Sequence, residues 1–230
     1  MSYRRKNFKS TGYPNRRRQS ERLTMQASRR YQGRQEARMP AAPRVGFKET
    51  GFVDLATANY ACNTTGSVTL IATIPQGAGT SERIGKKVLL KSLQCHGQLV
   101  SNTDTSLTNV GYLIVYDSRP TGNLPAITDI LEDIDPGSFN NDDNASRFQV
   151  LKRVDEVLVG STTAGLTSKS AFNQEWYMRI PKIMTFKSAA TGAIGDIETG
   201  ALYLVTIGGG GAGTTAGSFV ASFRTRYVDM

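Results

Sequence analysis

Residues 86–100 read KKVLLKSLQCHGQLV, and the alternation within this stretch decides the fold class. Its apolar side chains fall on one face of an extended chain: Leu89, Leu93, Cys95 and Leu99. Its amide and imidazole side chains fall on the opposite face: Gln94, His96 and Gln98. An apolar face backed by a polar face at a period of two predicts a β-strand that covers a core on one side.

Further segments of β-forming composition flank this strand and are separated by turn residues: 50–57, 67–74, 110–117, 147–160, 172–187, 201–207 and 218–228. We expect 172–187 to form two strands, interrupted near Pro181. One helix is predicted to begin at Pro125, with helical spacing of the apolar residues Ile127, Ile130, Leu131 and Ile134. The pattern predicts an all-β antiparallel sandwich or jelly roll. An immunoglobulin-like sandwich is the less favoured alternative, because no Cys–Trp–Cys pattern is present.

Residues 1–48 differ sharply in composition from the rest of the chain. They hold 14 of the 28 Lys and Arg residues against only Glu21 and Glu36, a net charge of +12, whereas residues 49–230 carry −3. Large aliphatic side chains are nearly absent there, so this segment cannot bury enough apolar surface to offset the entropy of ordering. We therefore expect a basic, disordered arm at 1–48 and a folded domain at 49–230. Such an arm indicates a polyanionic partner.

Three blocks of sequence follow one another within the folded domain: ERIGKKVLLKSLQCHGQL at 82–99, VGYLIVYDSRPTG at 110–122 and NASRFQVLKR at 144–153. In this order and spacing they resemble the coat proteins of geminiviruses and related small circular single-stranded DNA viruses. The matching positions are Arg83, Gly85, Lys86, Lys87, Lys91, Ser92, Gly97, Asp117, Arg119, Pro120, Gly122, Arg147, Phe148, Gln149, Val150 and Leu151. The arm matches in composition only, and it lacks the Cys/His cluster described as zinc-finger-like in some members.

The resemblance implies a single eight-stranded antiparallel jelly roll, with residues 49–230 as the shell domain. It also implies self-assembly into an icosahedral or twinned shell of about 60 or more copies. The implied partner is single-stranded DNA, although the charge of the arm would accept RNA equally well. Host nuclear import factors would be further partners, because Arg16, Arg17 and Arg18 are typical of a nuclear localisation signal. The expected locations are the virion and the host cell nucleus.

The candidate nucleic-acid-binding residues are basic, because phosphate neutralisation and counterion release are largely independent of sequence. In the arm they are Arg4, Arg5, Lys6, Lys9, Arg16, Arg17, Arg18, Arg22, Arg29, Arg30, Arg34 and Arg38. In the folded domain they are Lys86, Lys87, Arg224 and Arg226, which would line the inner surface of the shell. Alternatively, these four are ordinary charges that discourage strand pairing at a sheet edge.

Other chemistry is not expected. His96 is the only histidine, and it points to the opposite face from its neighbour Cys95, so no catalytic pair can form and none is predicted. Cys62 and Cys95 fit no zinc or redox spacing and are expected to be reduced, with a disulfide as the alternative. No cofactor or resident metal is predicted, although the acidic residues between 129 and 143 leave Ca²⁺ as an alternative to a solvated loop. No segment resembles a membrane span or a secretory signal.

Two rival functions remain open at this point. One is a nucleic-acid-binding or nuclear-shuttle protein that forms no closed shell. The other is a lectin-like jelly roll, which would leave the basic arm unexplained.

Overall fold

The computed structural model describes residues 50–102, 107–163, 166–187, 191–210 and 215–230. Within these ranges the chain forms ten strands: β1 (Thr50–Asn63), β2 (Ser67–Leu70), β3 (Lys87–Ser101), β4 (Leu107–Asp117), β5 (Phe148–Thr163), β6 (Leu166–Lys169), β7 (Ala171–Phe186), β8 (Ile197–Thr199), β9 (Ala201–Gly208) and β10 (Thr215–Asp229). Short helical turns lie at Ile127–Ile130, Asp142–Asn144 and Ile194–Asp196.

The strands form two sheets. The first sheet has the order β1-β10-β3-β7-β8, and the second has the order β2-β9-β4-β5-β6. The short strands β6 and β8 lie at sheet edges, and the other eight form two four-stranded antiparallel sheets. This is the strand arrangement of a jelly roll, and the predicted all-β jelly roll is confirmed.

Aromatic side chains join the two sheets in the interior. The ring of Tyr112 on β4 stacks on Phe219 of β10, with ring centroids 4.2 Å apart. The Trp176 indole N–H donates to the Tyr112 hydroxyl at 2.8 Å, and that hydroxyl donates to the Gln174 amide oxygen, also at 2.8 Å. Because β4 and β7 belong to different sheets, these bonds connect the sheets across the core.

A bulge at Lys91 changes which side chains of β3 face the core. Ser92 pairs with Arg226 and Leu90 with Tyr227, so Lys91 is an extra residue in β3 relative to β10. An extra residue reverses the alternation on one side of the bulge. Val88 and Leu90 are therefore buried, and the assignment of Leu89 to the buried face was wrong. Beyond the bulge, Leu93, Cys95 and Leu99 are buried as predicted.

The prediction of two strands in 172–187 was also wrong, because β7 is continuous from Ala171 to Phe186. Arg179 pairs with Ser92 and Lys182 with Leu90, so Pro181 lies opposite the bulge, where the ladder is already interrupted. A proline is tolerated at such a position, since its missing amide hydrogen removes no regular ladder bond.

The segment between β4 and β5 covers the outer surface of the second sheet. Leu113 and Val115 point away from the inter-sheet core and are nonetheless buried. The predicted helix is only one turn long, Ile127–Ile130, and Leu131 instead forms a bridge with Asn140. Ile127, Ile130 and Leu131 are buried, whereas Ile134 is partly exposed. Helical spacing here identified buried residues but overestimated the length of the helix.

Candidate nucleic-acid interface

The twelve candidate residues of the arm lie in residues 1–49, outside the described residues: Arg4, Arg5, Lys6, Lys9, Arg16, Arg17, Arg18, Arg22, Arg29, Arg30, Arg34 and Arg38. The folded-domain candidates Lys86, Lys87, Arg224 and Arg226 are all described. The chain enters the first sheet through β1 at Thr50, so the arm is covalently continuous with the edge of that sheet.

Arg224 and Arg226 lie on the outward face of β10, because Phe223, Thr225 and Tyr227 between and beside them are buried. The Arg224 guanidinium donates to both carboxylate oxygens of Asp54 on β1, at 2.7 and 2.6 Å. These hydrogen bonds lower the pKa of Asp54, so this carboxylate stays charged. The arginine is thereby held in place and partly neutralised.

Arg226 lies between strands β1 and β3. It pairs with Phe52 on one side and with Ser92 on the other, and its guanidinium donates to the Gln94 side-chain oxygen at 3.5 Å. On the other side of β3, Ser92 pairs with Arg179 of β7, and Arg179 is exposed. Arg179 therefore belongs to the same outward face, although it was absent from the sequence prediction. Only the register between β3 and β7 brings it there.

Lys86 and Lys87 are exposed where the chain enters β3. Lys87 is on the outward face of the first sheet, because the neighbouring Val88 points into the core. Lys91 is exposed at the bulge further along the same strand. The structure thus places Lys87, Arg224 and Arg226 on one surface, with Lys86 at its margin.

A groove of about 550 Å³ lies on this face where β1 is irregular, between Leu55 and Ala58. Its lining includes Asp54, Gln94, His96 and Arg224. The His96 ring is exposed, with Nδ1 3.2 Å from the Glu175 carboxylate, whereas Cys95 is buried. The prediction that His96 and Cys95 face opposite sides is confirmed. The two cysteines are both free and buried.

The matching motif residues Asp117 and Arg147 serve the fold rather than a binding surface. They form an ion pair between the end of β4 and the start of β5. Asp117 also accepts from the backbone N–H of Arg119 at 2.9 Å, which shapes the turn after β4. The resemblance therefore rests partly on residues that hold the segment after β4 in place.

The acidic residues after the one-turn helix accept hydrogen bonds from their own loop. The carboxylates of Asp129, Asp133 and Asp135 accept from the backbone N–H groups of Ala126, Ile134 and Gly137 respectively. Among the described residues, no group of three or more His, Cys, Asp or Glu side chains is placed to hold a metal ion. In the same part of the chain, no helix has the length and apolar character needed to cross a bilayer.

Comparison with known proteins gives consistent matches. Residues 3–229 match the model of the Geminivirus coat protein/nuclear export factor BR1 family. The chain is 31% identical over 121 residues to the coat protein of Maize white line mosaic Satellite virus, covering 49% of this chain and 54% of that protein. It is 28% identical over 174 residues to the capsid protein of Tobacco yellow dwarf virus (strain Australia), covering 66% and 68%. It is 28% identical over 160 residues to the capsid protein of Miscanthus streak virus (isolate 91), covering 61% and 63%. The matched regions thus span 54% to 68% of these relatives' lengths.

Proposed function

The chain belongs to the Geminivirus coat protein/nuclear export factor BR1 family, and from this premise we propose that it is a viral coat protein that packages single-stranded DNA. The observation that carries the proposal is the family match over residues 3–229, and three relatives named coat or capsid protein support it. The role is structural: copies of the jelly roll associate into a closed shell of about 60 or more copies. No catalytic step is part of it.

The arm is the main packaging element in this proposal. Its net charge of +12 contrasts with the −3 of residues 49–230, so attraction to a polyanion is concentrated in the first 48 residues. Arginine predominates over lysine there, 11 to 3, and a guanidinium can contact phosphate oxygens with two parallel hydrogen bonds. Binding of this kind neutralises phosphates and depends little on base sequence.

The outward face of the first sheet extends this binding surface. Lys87, Arg224 and Arg226 lie on it, and Lys86 lies at its margin. Packaged nucleic acid lies inside a shell, and these cations would add to the positive charge that neutralises it. We therefore assign this face to the interior of the shell.

A second candidate function is a nucleic-acid-binding shuttle protein that forms no shell. The description of the family supports this second function, because it names a nuclear export factor as well as a coat protein. In either case Arg16, Arg17 and Arg18 would serve as a nuclear import signal recognised by host import factors.

Electron microscopy of the purified full chain, with and without single-stranded DNA, tests these proposals. Closed shells that protect DNA from nuclease would support the coat-protein function, and sequencing the protected material would identify the packaged strand. Nucleoprotein complexes without a shell would favour the shuttle function. A protein that stays monomeric or dimeric by light scattering at every salt concentration and pH, and binds no nucleic acid, would contradict both.

A further inference from the structure

Two rows of side chains cross the outward face of the first sheet from β1 to β7. Strand register defines each row, because paired residues on adjacent antiparallel strands point to the same face. The first row is Phe52, Arg226, Ser92 and Arg179. The second row is Asp54, Arg224, Gln94 and Tyr177. Each row therefore contains an aromatic ring and at least one arginine.

The two aromatic rings are exposed at opposite margins of these rows. Tyr177 on β7 is 58% exposed and Phe52 on β1 is 37% exposed. The Arg224 guanidinium lies over the Phe52 ring, 4.9 Å from its centre, so a cation already covers one face of this ring. Exposed aromatic rings lose favourable burial unless a partner covers them, and a flat planar partner covers a ring best.

The charges between the rings favour an anionic occupant over a second copy of the chain. Arg226 and Arg179 flank Ser92, and neither pairs with a carboxylate across its register. Asp54 and Glu175, the carboxylates two residues from Phe52 and Tyr177 on the same strands, already contact Arg224 and His96 respectively. A positively charged surface with exposed aromatic rings is the composition of proteins that bind single-stranded nucleic acid.

We propose that this face is a stacking platform for unpaired bases of single-stranded DNA, with Phe52 and Tyr177 as the stacking residues. Arg226 and Arg179 contact the phosphates, and Gln94 offers hydrogen bonds to base edges. Three inter-strand spacings of about 4.8 Å separate β1 from β7, and the two rows are offset by two residues, so the rings are roughly 16 Å apart. That distance corresponds to about five nucleotides at the 3.4 Å repeat of a stacked strand.

A groove beside the second row could receive a base that is not stacked on the platform. It is lined by Gln94, His96 and Arg224 among others, and its volume of about 550 Å³ is within the range of small-molecule sites. A base turned away from the stack would enter this groove against the amide of Gln94. The arm attracts the strand through charge, whereas the platform holds its bases.

This inference rests on the proposed DNA-packaging function. It adds that binding affinity depends on the presence of bases, whereas binding by charge neutralisation alone does not. The test compares binding of the full chain to a fluorescent oligothymidylate of about 20 nucleotides and to an abasic strand of equal length and charge. We expect the wild-type protein to prefer the thymidylate by at least about fivefold, the lower limit for one stacked base. Replacing one ring, Tyr177→Leu or Phe52→Leu, should reduce this preference, and replacing both should bring it close to one.

Phe139→Leu is the matched control, because Phe139 is 79% exposed and lies in the segment on the second sheet, away from the platform. This variant should keep the full preference for the thymidylate. Equal binding of both strands by the wild type, or an undiminished preference in the variant that carries both Tyr177→Leu and Phe52→Leu, would overturn the platform while leaving DNA packaging intact. Failure to bind either strand would instead contradict the proposed function. Circular dichroism would verify that each variant is folded.

Discussion

The Arg147 guanidinium donates two hydrogen bonds to the carboxylate of Asp117, at 3.1 and 2.9 Å. The Asp117 side chain is fully buried, and that of Arg147 is 20% exposed. The pair joins β4 to the start of β5 and closes the segment that covers the second sheet. Removal of the arginine would leave a buried carboxylate without its counter-charge.

We expect Arg147→Ala to lower the unfolding free energy by about 3–5 kcal/mol, the usual cost of breaking a buried ion pair from one side. Chemical denaturation of the unassembled protein measures this cost. Arg224→Ala is the matched control, since Arg224 makes the same two-bond contact with Asp54 at the surface and should cost about 1 kcal/mol or less. Equal losses in the two variants would contradict the structural role given to Asp117.

Gly97 is a second position where the fold constrains a motif residue. A Cβ atom there would lie 2.6 Å from the Cβ of Ala221 and 2.6 Å from the Val220 carbonyl oxygen. Because β10 backbone cannot move aside without disturbing its other pairs, Gly97→Ala should cost about 1–3 kcal/mol. In Gly85→Ala the nearest atom would be 3.5 Å away, so that variant should be nearly neutral in the same denaturation assay. A neutral Gly97→Ala would show that the strands can separate locally.

Because the thiols of Cys62 and Cys95 are buried, we expect the free energy of unfolding to fall in alkali. Burial raises the pKa of Cys62 and Cys95 from 9.0 to about 12. Both thiols stay protonated in the folded chain while the unfolded chain releases their protons above pH 9, so stability is full below pH 9 and falls as pH rises toward 12. The expected slope is up to about 1.4 kcal/mol per pH unit for each thiol.

Denaturation at intervals between pH 8 and pH 10, with reductant present, measures this slope. Cys95→Ala should remove up to half of it, because one thiol then remains. The thiols dominate the lower half of this window, because five tyrosines with raised pKa values among the described residues add their own loss as the pH approaches the ordinary tyrosine pKa of 10.0. Stability that is flat from pH 8 to pH 10 in the wild type would mean that the thiols are not protected by folding.

Removing charge from the arm should change both the salt dependence of DNA binding and the amount of DNA that is packaged. Replacing Arg16, Arg17 and Arg18 by Ala should make the log–log salt dependence of DNA binding shallower by about 2, at roughly 0.7 per phosphate contact. In a shell of about 60 copies it removes about 180 of about 720 arm charges, so packaged length or packaging yield should fall. Changing the same residues to Lys keeps the charge and should leave the salt dependence unchanged. Wild-type nucleic-acid content in particles of the Ala variant would contradict charge neutralisation by the arm.

The sequence was sufficient to predict the fold class because period-two alternation survives in most strands. In β10, alternation places Phe219, Ala221, Phe223 and Tyr227 on one face, and all four are buried. Alternation failed where a bulge intervenes, because one extra residue at Lys91 reverses the facing of Leu89 and has no signature of its own. Pro181 was misinterpreted for the related reason that its tolerance depends on the opposite strand.

The candidate site was predicted less completely than the fold. Arg224 and Arg226 could be assigned to one face from alternation within β10 alone. Arg179 and Tyr177 could not, because they join that face only through pairing of β7 with β3, far away in sequence. The partial neutralisation of Arg224 was likewise hidden, since Asp54 lies on β1 and reaches it only in the folded sheet.

Strand β10 lies between β1 and β3, although it follows both of them by more than a hundred residues in the chain. During synthesis, β1 and β3 therefore emerge from the ribosome without the strand that joins them, and contacts this distant in sequence form slowly. Until residues 215–229 have been made, the facing edges of β1 and β3 have no partner strand. Unpaired strand edges are where chains mispair and aggregate, so the interval before β10 is complete is the one in which this fold is most exposed to misfolding.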